Sequence, residues 1–94
     1  MNVGEIDTYF ENYQAYLNDG EDVSTFTIEN DDGITILSSG LNTNGNILTY
    51  TVEAVGTGEE LNPYIRVKIT ATTTDSRVDV RYADFQLRDE SVGN

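Results

Sequence analysis

Apolar and polar side chains alternate along most of the chain after residue 22, and this period of two most constrains the fold. Residues 64–73 show it best, because Ile, Val, Ile and Ala at odd positions alternate with Arg, Lys and Thr at even positions. Residues 47–55 repeat the pattern with Leu, Tyr, Val and Ala at even positions. Successive side chains of a strand point to opposite faces, so each segment predicts a strand with one buried face.

Two shorter segments of the same kind flank a turn. Residues 23–29 and 34–37 are predicted strands on either side of the sequence Asn-Asp-Asp-Gly, whose residues accept the backbone angles of a tight turn. Residues 38–46 are polar and predict a loop, and residues 56–63 contain Gly and Pro and predict a connection.

The last predicted strand covers residues 77–88, and its apolar residues change parity near Ala83. Such a change predicts a β-bulge or a bend at that point, because a regular strand keeps one parity on each face. The apolar positions before the change are Val78, Val80 and Tyr82, and those after it are Phe85 and Leu87.

The N-terminal segment, residues 6–17, is rich in aromatic residues. Its spacing predicts an extended piece over residues 6–10 and a single helical turn over residues 12–17. Aromatic side chains are enriched in the cores of protein interfaces, so we expect this segment to contact a partner. The alternative is that the same side chains close one end of the fold. The side chains concerned are Tyr9, Phe10, Tyr13, Tyr16 and Leu17.

Together these segments predict one all-β domain over residues 1–94, with a core over about residues 5–88 and a C-terminal tail over residues 89–94. The expected architecture is an immunoglobulin-like or fibronectin-III-like antiparallel β-sandwich of about six to seven strands, with one short helical turn near the N-terminus.

No run of residues reaches the roughly 18 to 20 apolar residues of a membrane span, and the first residues lack the features of a signal peptide. We therefore expect synthesis in the cytoplasm.

Charge is distributed unevenly along the chain. Seventeen acidic and five basic residues give a net charge of −12, and every basic residue follows position 65. Such a surface disfavours nucleic acid and anionic membranes as partners. Arg77 and Arg81 of the last strand, with Arg66 and Lys68 of its neighbour, predict a cationic patch for a protein partner. The alternative is that these residues form only cross-strand ion pairs.

The side chains used most often in catalysis are missing. The chain has no His and no Cys, which excludes Ser-His and Cys-His nucleophile arrangements, and we expect no enzymatic activity and no cofactor. One acidic group is a candidate calcium site, although acidic turn residues on a solvated surface explain it better. No metal is therefore expected at its members, which are Asp19, Glu21, Asp22, Asp31 and Asp32.

Two stretches resemble a known family. They are FENYQAYLNDGEDVSTFTIENDDGITI and VGTGEELNPYIRVKITATTTDSRVDVRYADFQL, and the resemblance covers roughly residues 5–88. Their order of features resembles the small immunoglobulin-like virion proteins of tailed bacteriophages that serve as fiber-tail adaptors or head-tail joining proteins. Residues 76–81 match the family's arginine motif, with Ser76 in place of glycine. Tyr13 and Phe26 stand where the family has tryptophans.

This resemblance implies a non-enzymatic structural protein of the virion, made in the bacterial host cytoplasm. It would dock on the portal, connector or tail ring and join it to tail or fibre proteins, with several copies arranged symmetrically. Two other functions remain open from the sequence. One is an acidic DNA mimic that inhibits a host DNA-binding enzyme, and the other is a capsid decoration protein.

Overall fold

The computed structural model describes residues 1–56 and 64–87. These residues form six strands and no helix, so the described part has no helical segment able to cross a bilayer. The strands are β1 (Ile6–Asn12), β2 (Val23–Asn30), β3 (Ile34–Leu41), β4 (Ile47–Ala54), β5 (Tyr64–Thr73) and β6 (Val78–Gln86).

The strands form two antiparallel sheets of three. One sheet has the order β1-β4-β3 and the other has the order β2-β5-β6. This order is that of a constant-type immunoglobulin sandwich, B-E-D on one sheet and C-F-G on the other, without its first strand A. The predicted all-β sandwich is therefore confirmed. β4 and β5 are the central strands, and the other four lie at sheet edges.

The core lies between the sheets and is built by the alternation that predicted the strands. On β4 and β5 every second residue is buried, as expected from the sequence. Burial of these aliphatic side chains is the main stabilising contribution, about 1.5–3 kcal/mol for each large one. Their inward faces consist of Leu48, Tyr50, Val52 and Ala54 on β4 and Ile65, Val67, Ile69 and Ala71 on β5.

β6 differs from the prediction. Its register with β5 is regular along the whole strand, so the expected bulge near Ala83 is wrong. Odd-numbered residues face inward along all of β6, and the inward positions 79 and 81 hold an ion pair instead of apolar residues. The apolar residues of the other parity therefore stay outside, with exposed fractions of 58% for Val78, 44% for Val80 and 56% for Tyr82.

β3 is longer than predicted. Four residues of the expected loop 38–46 continue the strand to Leu41, which pairs with Leu48. A bulge between Ile36 and Ser38 shifts the register there. The bulge changes which parity of residues faces inward, so the alternation of apolar and polar residues is interrupted at that point. The strand predicted from that alternation therefore ended at residue 37.

The predicted helical turn after β1 forms as a single hydrogen-bonded turn. The amides of Tyr16 and Leu17 both donate to the carbonyl of Tyr13, at 2.9 and 3.0 Å. The predicted connection over residues 56–63, apart from Gly56, and the predicted tail over residues 89–94 lie outside the described residues.

Candidate protein-interaction site

The N-terminal side chains predicted to reach a partner separate into two groups. Tyr13 is completely buried and Leu17 packs against the core. Phe10, in contrast, is 66% exposed. Tyr13 and Leu17 thus close one end of the sandwich, as the alternative expected, and Phe10 is exposed at the surface.

Arg81 holds the start of the N-terminal turn. Its guanidinium lies 4.0 Å from the centre of the Tyr13 ring, and its Nη1 donates to the carbonyl of Asn12 at 3.1 Å. Its Nε donates to Oδ2 of Asp79 at 2.6 Å. Stacking of a guanidinium on an aromatic ring is favourable, so Arg81 fixes the end of β1 against β6.

Arg77 holds the other end of the same turn. Its Nε donates to Oε2 of Glu21 at 2.9 Å, and its Nη2 donates to Oε1 of Glu21 and, at 2.9 Å, to the carbonyl of Tyr16. The guanidinium also lies 4.2 Å from the centre of the Tyr16 ring. Glu21 accepts further bonds from the hydroxyl of Thr73 and the amide of Asn18. This network ties the β5–β6 hairpin to the segment before β2.

Glu21 is the residue whose role the sequence least revealed. Its side chain has no solvent exposure. The hydrogen bonds from Arg77 lower the pKa of the Glu21 carboxyl to about 2, against the opposing effect of burial. A buried carboxylate is stable only when it is paired, so the role of Glu21 is that of an anchor within the fold. The separation of 56 residues between Glu21 and Arg77 explains why no local pattern predicted the pair.

The acidic residues do not come together as a calcium site. Asp22 precedes β2 and Asp31 follows it, so an eight-residue strand separates them by roughly 25 Å. Asp31 pairs instead with the backbone of Arg66, and Glu21 pairs with Arg77. No group of three acidic residues suited to a metal occurs within residues 1–56 and 64–87.

The cations also do not form the predicted patch. Arg66 and Lys68 lie on the outward parity of β5, whereas Arg81 lies on the inward parity of β6. Arg66 bonds through Nε to Asp84 at 2.9 Å and lies 5.1 Å from the centre of the Tyr82 ring. Three arginines thus share one arrangement, a guanidinium with an acidic partner and a tyrosine ring, but only the Arg66–Asp84 pair is the cross-strand pair of the alternative.

A shallow groove of about 510 Å³ lies between β1 and β6. Tyr9 lies in it, with its ring edge-on to Phe85 at a centroid distance of 4.9 Å and tilted against Tyr50 at 5.9 Å. Burial raises the pKa of the Tyr9 hydroxyl, and the nearby Asp7 and Glu5 carboxylates raise it further. The groove is therefore an aromatic crevice, and its walls supply no nucleophile paired with a base.

Several exposed apolar side chains lie on the outer faces of the edge strands, and one of them, Phe10, also lines the groove. Ile6 and Phe10 project from the outer face of β1, with exposed fractions of 53% and 66%. Val78, Val80 and Tyr82 form a similar row on β6. Contiguous exposed apolar patches are typical of interaction sites, so these two rows are the candidate contact surface. The sequence predicted a bulge or bend near Ala83 from the change of parity, and the regular register of β6 instead leaves this row on the outer face.

These features define a small immunoglobulin-like β-sandwich with exposed apolar edge strands. No known family model, curated protein or solved structure matches the chain.

Proposed function

We propose that this protein is a non-enzymatic structural adaptor of a tailed-phage virion. It docks on the connector or tail ring and joins it to tail or fibre components. The observation that carries the proposal is the exposure of apolar side chains on edge strands of both sheets, above all Phe10 of β1 and the row on β6. Such surfaces are used for contact with other proteins.

Three arginines have a structural role in the described part of the fold. Arg66, Arg77 and Arg81 are each held by a carboxylate and a tyrosine ring. Groups paired in this way stabilise the fold and are not available as acids or bases. The predicted involvement of Arg77 and Arg81 in partner binding is then indirect, because they hold the N-terminal turn beside Phe10.

The virion role itself rests on the sequence resemblance. The arginine motif at residues 76–81 is the part of the structure compatible with it. Ser76 has a φ of 63°, a left-handed conformation that glycine adopts readily, and it stands where the family has glycine. Arg77, Asp79 and Arg81 then join the β5–β6 hairpin to the rest of the sandwich.

The direct test is quantitative mass spectrometry of density-purified tailed particles encoded by the same genome as this chain. We expect the chain in the particles, at a copy number that is a multiple of the symmetry of the ring it contacts. Its absence from intact particles would overturn the proposal. If the purified chain then inhibits a nuclease and salt relieves the inhibition, a DNA mimic replaces the adaptor.

A surface variant tests the docking face. Phe10→Asp places a charge on the outer face of β1, where the side chain is already exposed and its loss leaves the core intact. Thr27→Asp is the matched control, because Thr27 is exposed on the outer face of β2 in the other sheet. We expect Phe10→Asp to reduce incorporation into particles at least about tenfold, as loss of an aromatic anchor does in other interfaces. Equal incorporation of the two variants would exclude this face.

A further inference from the structure

β6 has an open backbone edge. It pairs with β5 on one side only, and the carbonyl of Arg77 accepts from the amide of Thr73 across that pair at 2.8 Å. Backbone hydrogen bonding alternates along an antiparallel ladder. The backbone N–H and C=O groups of the odd-numbered residues of β6 therefore bond to β5, and those of the even-numbered residues point away from β5, toward the open edge. The carbonyl of Gln86 agrees with this, because it accepts from the Met1 amino group at 2.6 Å. The backbone groups of residues 78, 80 and 82 have no partner within the part of the chain that the structure describes.

The other edge strands are less suited to pairing with a copy of themselves. β2 and β3 each contain a bulge, which interrupts a regular edge. β1 is regular, but it carries the carboxylates Asp7 and Glu11 at odd-numbered positions, and Glu5 directly precedes it. Antiparallel pairing about Tyr9 would place Asp7 opposite Glu11 of the copy, and pairing about Thr8 would place Glu5 opposite Glu11. Like charges directly opposite each other destabilise a strand pair.

We propose that two copies of this chain pair antiparallel through β6, about a two-fold axis at Val80. In this register Val80 faces itself and Val78 faces Tyr82 of the second copy, so the exposed apolar rows join on the outer face. On the other face Asp79 lies opposite Arg81 of the second copy. Each apolar pair also exchanges backbone hydrogen bonds, because the even-numbered residues carry the open groups.

The neighbouring registers are less favourable for reasons of charge. Pairing about Asp79 or about Arg81 would place that residue opposite its own copy. Pairing about Tyr82 would place Val80 opposite Asp84 of the second copy. Only the axis at Val80 matches apolar residues with apolar residues and opposite charges with each other along the centre of the strand.

Among residues 1–56 and 64–87, no segment covers the outer face of this half of β6. β1 and the turn after it lie over the inward face of β6, since Arg81 bonds to the carbonyl of Asn12 and Tyr9 contacts Phe85. The outer row of Val78, Val80 and Tyr82 stays exposed. Asp79 and Arg81 already neutralise each other within one copy, at 2.6 Å, so the paired strands bring no uncompensated charge to the axis.

Long-range charge opposes the pairing and gives it a recognisable salt dependence. Each copy carries a net charge of −12, so two copies repel at low ionic strength. Salt screens that repulsion, with a Debye length of about 8 Å at physiological ionic strength. Association through β6 should therefore strengthen as salt is added, whereas binding of an acidic chain to a basic partner weakens.

Single cysteines test the axis directly, because the natural chain has none. Val80→Cys places two thiols on the axis, where facing residues of a bonded antiparallel pair have Cα atoms about 5.5 Å apart, within disulfide range. With oxidised glutathione as the oxidant, we expect Val80→Cys to form a covalent dimer at least about tenfold faster than Thr27→Cys on the opposite edge strand. A mixture of Val78→Cys and Tyr82→Cys should cross-link faster than either variant alone.

Sedimentation of the full chain provides the second measurement. The natural protein should show a dimer whose share rises with salt, and Val80→Glu should abolish it while Thr27→Glu leaves it unchanged. A monomer at all salt concentrations, together with equal cross-linking of Val80→Cys and Thr27→Cys, would overturn the pairing. Fastest self-cross-linking of Tyr82→Cys would overturn the register. The pairing does not depend on the virion role, which is tested separately by the presence of the chain in particles.

Discussion

Arg77 donates to both carboxylate oxygens of Glu21, and this ion pair links two parts of the chain that are 56 residues apart. Glu21 is buried, whereas 37% of the Arg77 side chain is exposed. Arg77 therefore compensates the buried negative charge of Glu21, since a buried charge without a partner is strongly destabilising. The pair joins the hairpin after β5 to the segment that carries the N-terminal turn.

Acid should unfold the protein partly through Glu21. Its pKa is about 2 in the folded state, below the ordinary value of 4.5, so its stabilising effect is complete above about pH 4.5 and is lost as the pH falls toward 2. We expect Glu21→Gln to lower Tm at pH 7 by roughly 5–15 °C. The difference from the natural protein should shrink between pH 5 and pH 2, as measured by thermal denaturation followed by circular dichroism.

Glu53→Gln serves as the control for that experiment. Glu53 faces outward on β4 and takes part in no ion pair within the described residues. Its substitution should change Tm little at any pH. Parallel curves of Tm against pH for the natural protein and Glu21→Gln would contradict the assigned role of the ion pair.

Removing the hydroxyl of Tyr13 should not harm the fold. The ring is completely buried, and its hydroxyl has no hydrogen-bond partner among the described residues. Burial raises the pKa of this hydroxyl to about 12. An unpaired buried polar group is unfavourable, so Tyr13→Phe should leave the free energy of unfolding unchanged or raise it by about 1 kcal/mol. Tyr13→Ala should lower it by about 3–5 kcal/mol, measured by urea denaturation.

A side chain at position 45 should destabilise the fold for two reasons, backbone strain and a steric contact, and the same substitution at Gly20 separates them. Its φ is 67°, and a Cβ there would lie 2.9 Å from the Cβ of Asp22. Gly20 has a similar φ of 76° but open space around it. Gly20→Ala should therefore destabilise by about 1–2 kcal/mol from backbone strain alone, and Gly45→Ala by about 2–4 kcal/mol. Equal losses in chemical denaturation would show that the contact with Asp22 relaxes.

The two faces of β6 should respond differently to truncation. Phe85 is 8% exposed and packs against Tyr9, whereas Tyr82 is 56% exposed. Phe85→Ala should lower the free energy of unfolding by about 3–5 kcal/mol. Tyr82→Ala should lower it by about 0.5–1 kcal/mol through loss of the contact with Arg66. A large loss for Tyr82→Ala in monomeric protein would indicate that the outer row is buried after all.

Strands with uninterrupted alternation were predictable. β5 was predicted with its observed bounds, and β4 to within one residue, because a central strand with one face buried must place apolar residues at every second position. β3 was predicted too short because its bulge breaks the period. On β6 Val78, Val80 and Tyr82 lie on the outer face and Phe85 on the inner face, and alternation alone does not tell which of two parities a sheet buries.

The sequence by itself determined that this chain forms antiparallel strands, where most of them lie, and that its surface is strongly acidic. These properties depend on local alternation, turn residues and composition. The tertiary structure decided the pairing of Glu21 with Arg77, the stacking of Arg81 on Tyr13 and the exposure of Val80. Each of these depends on which distant segments the two sheets bring together, and no short-range pattern in the chain encodes that contact.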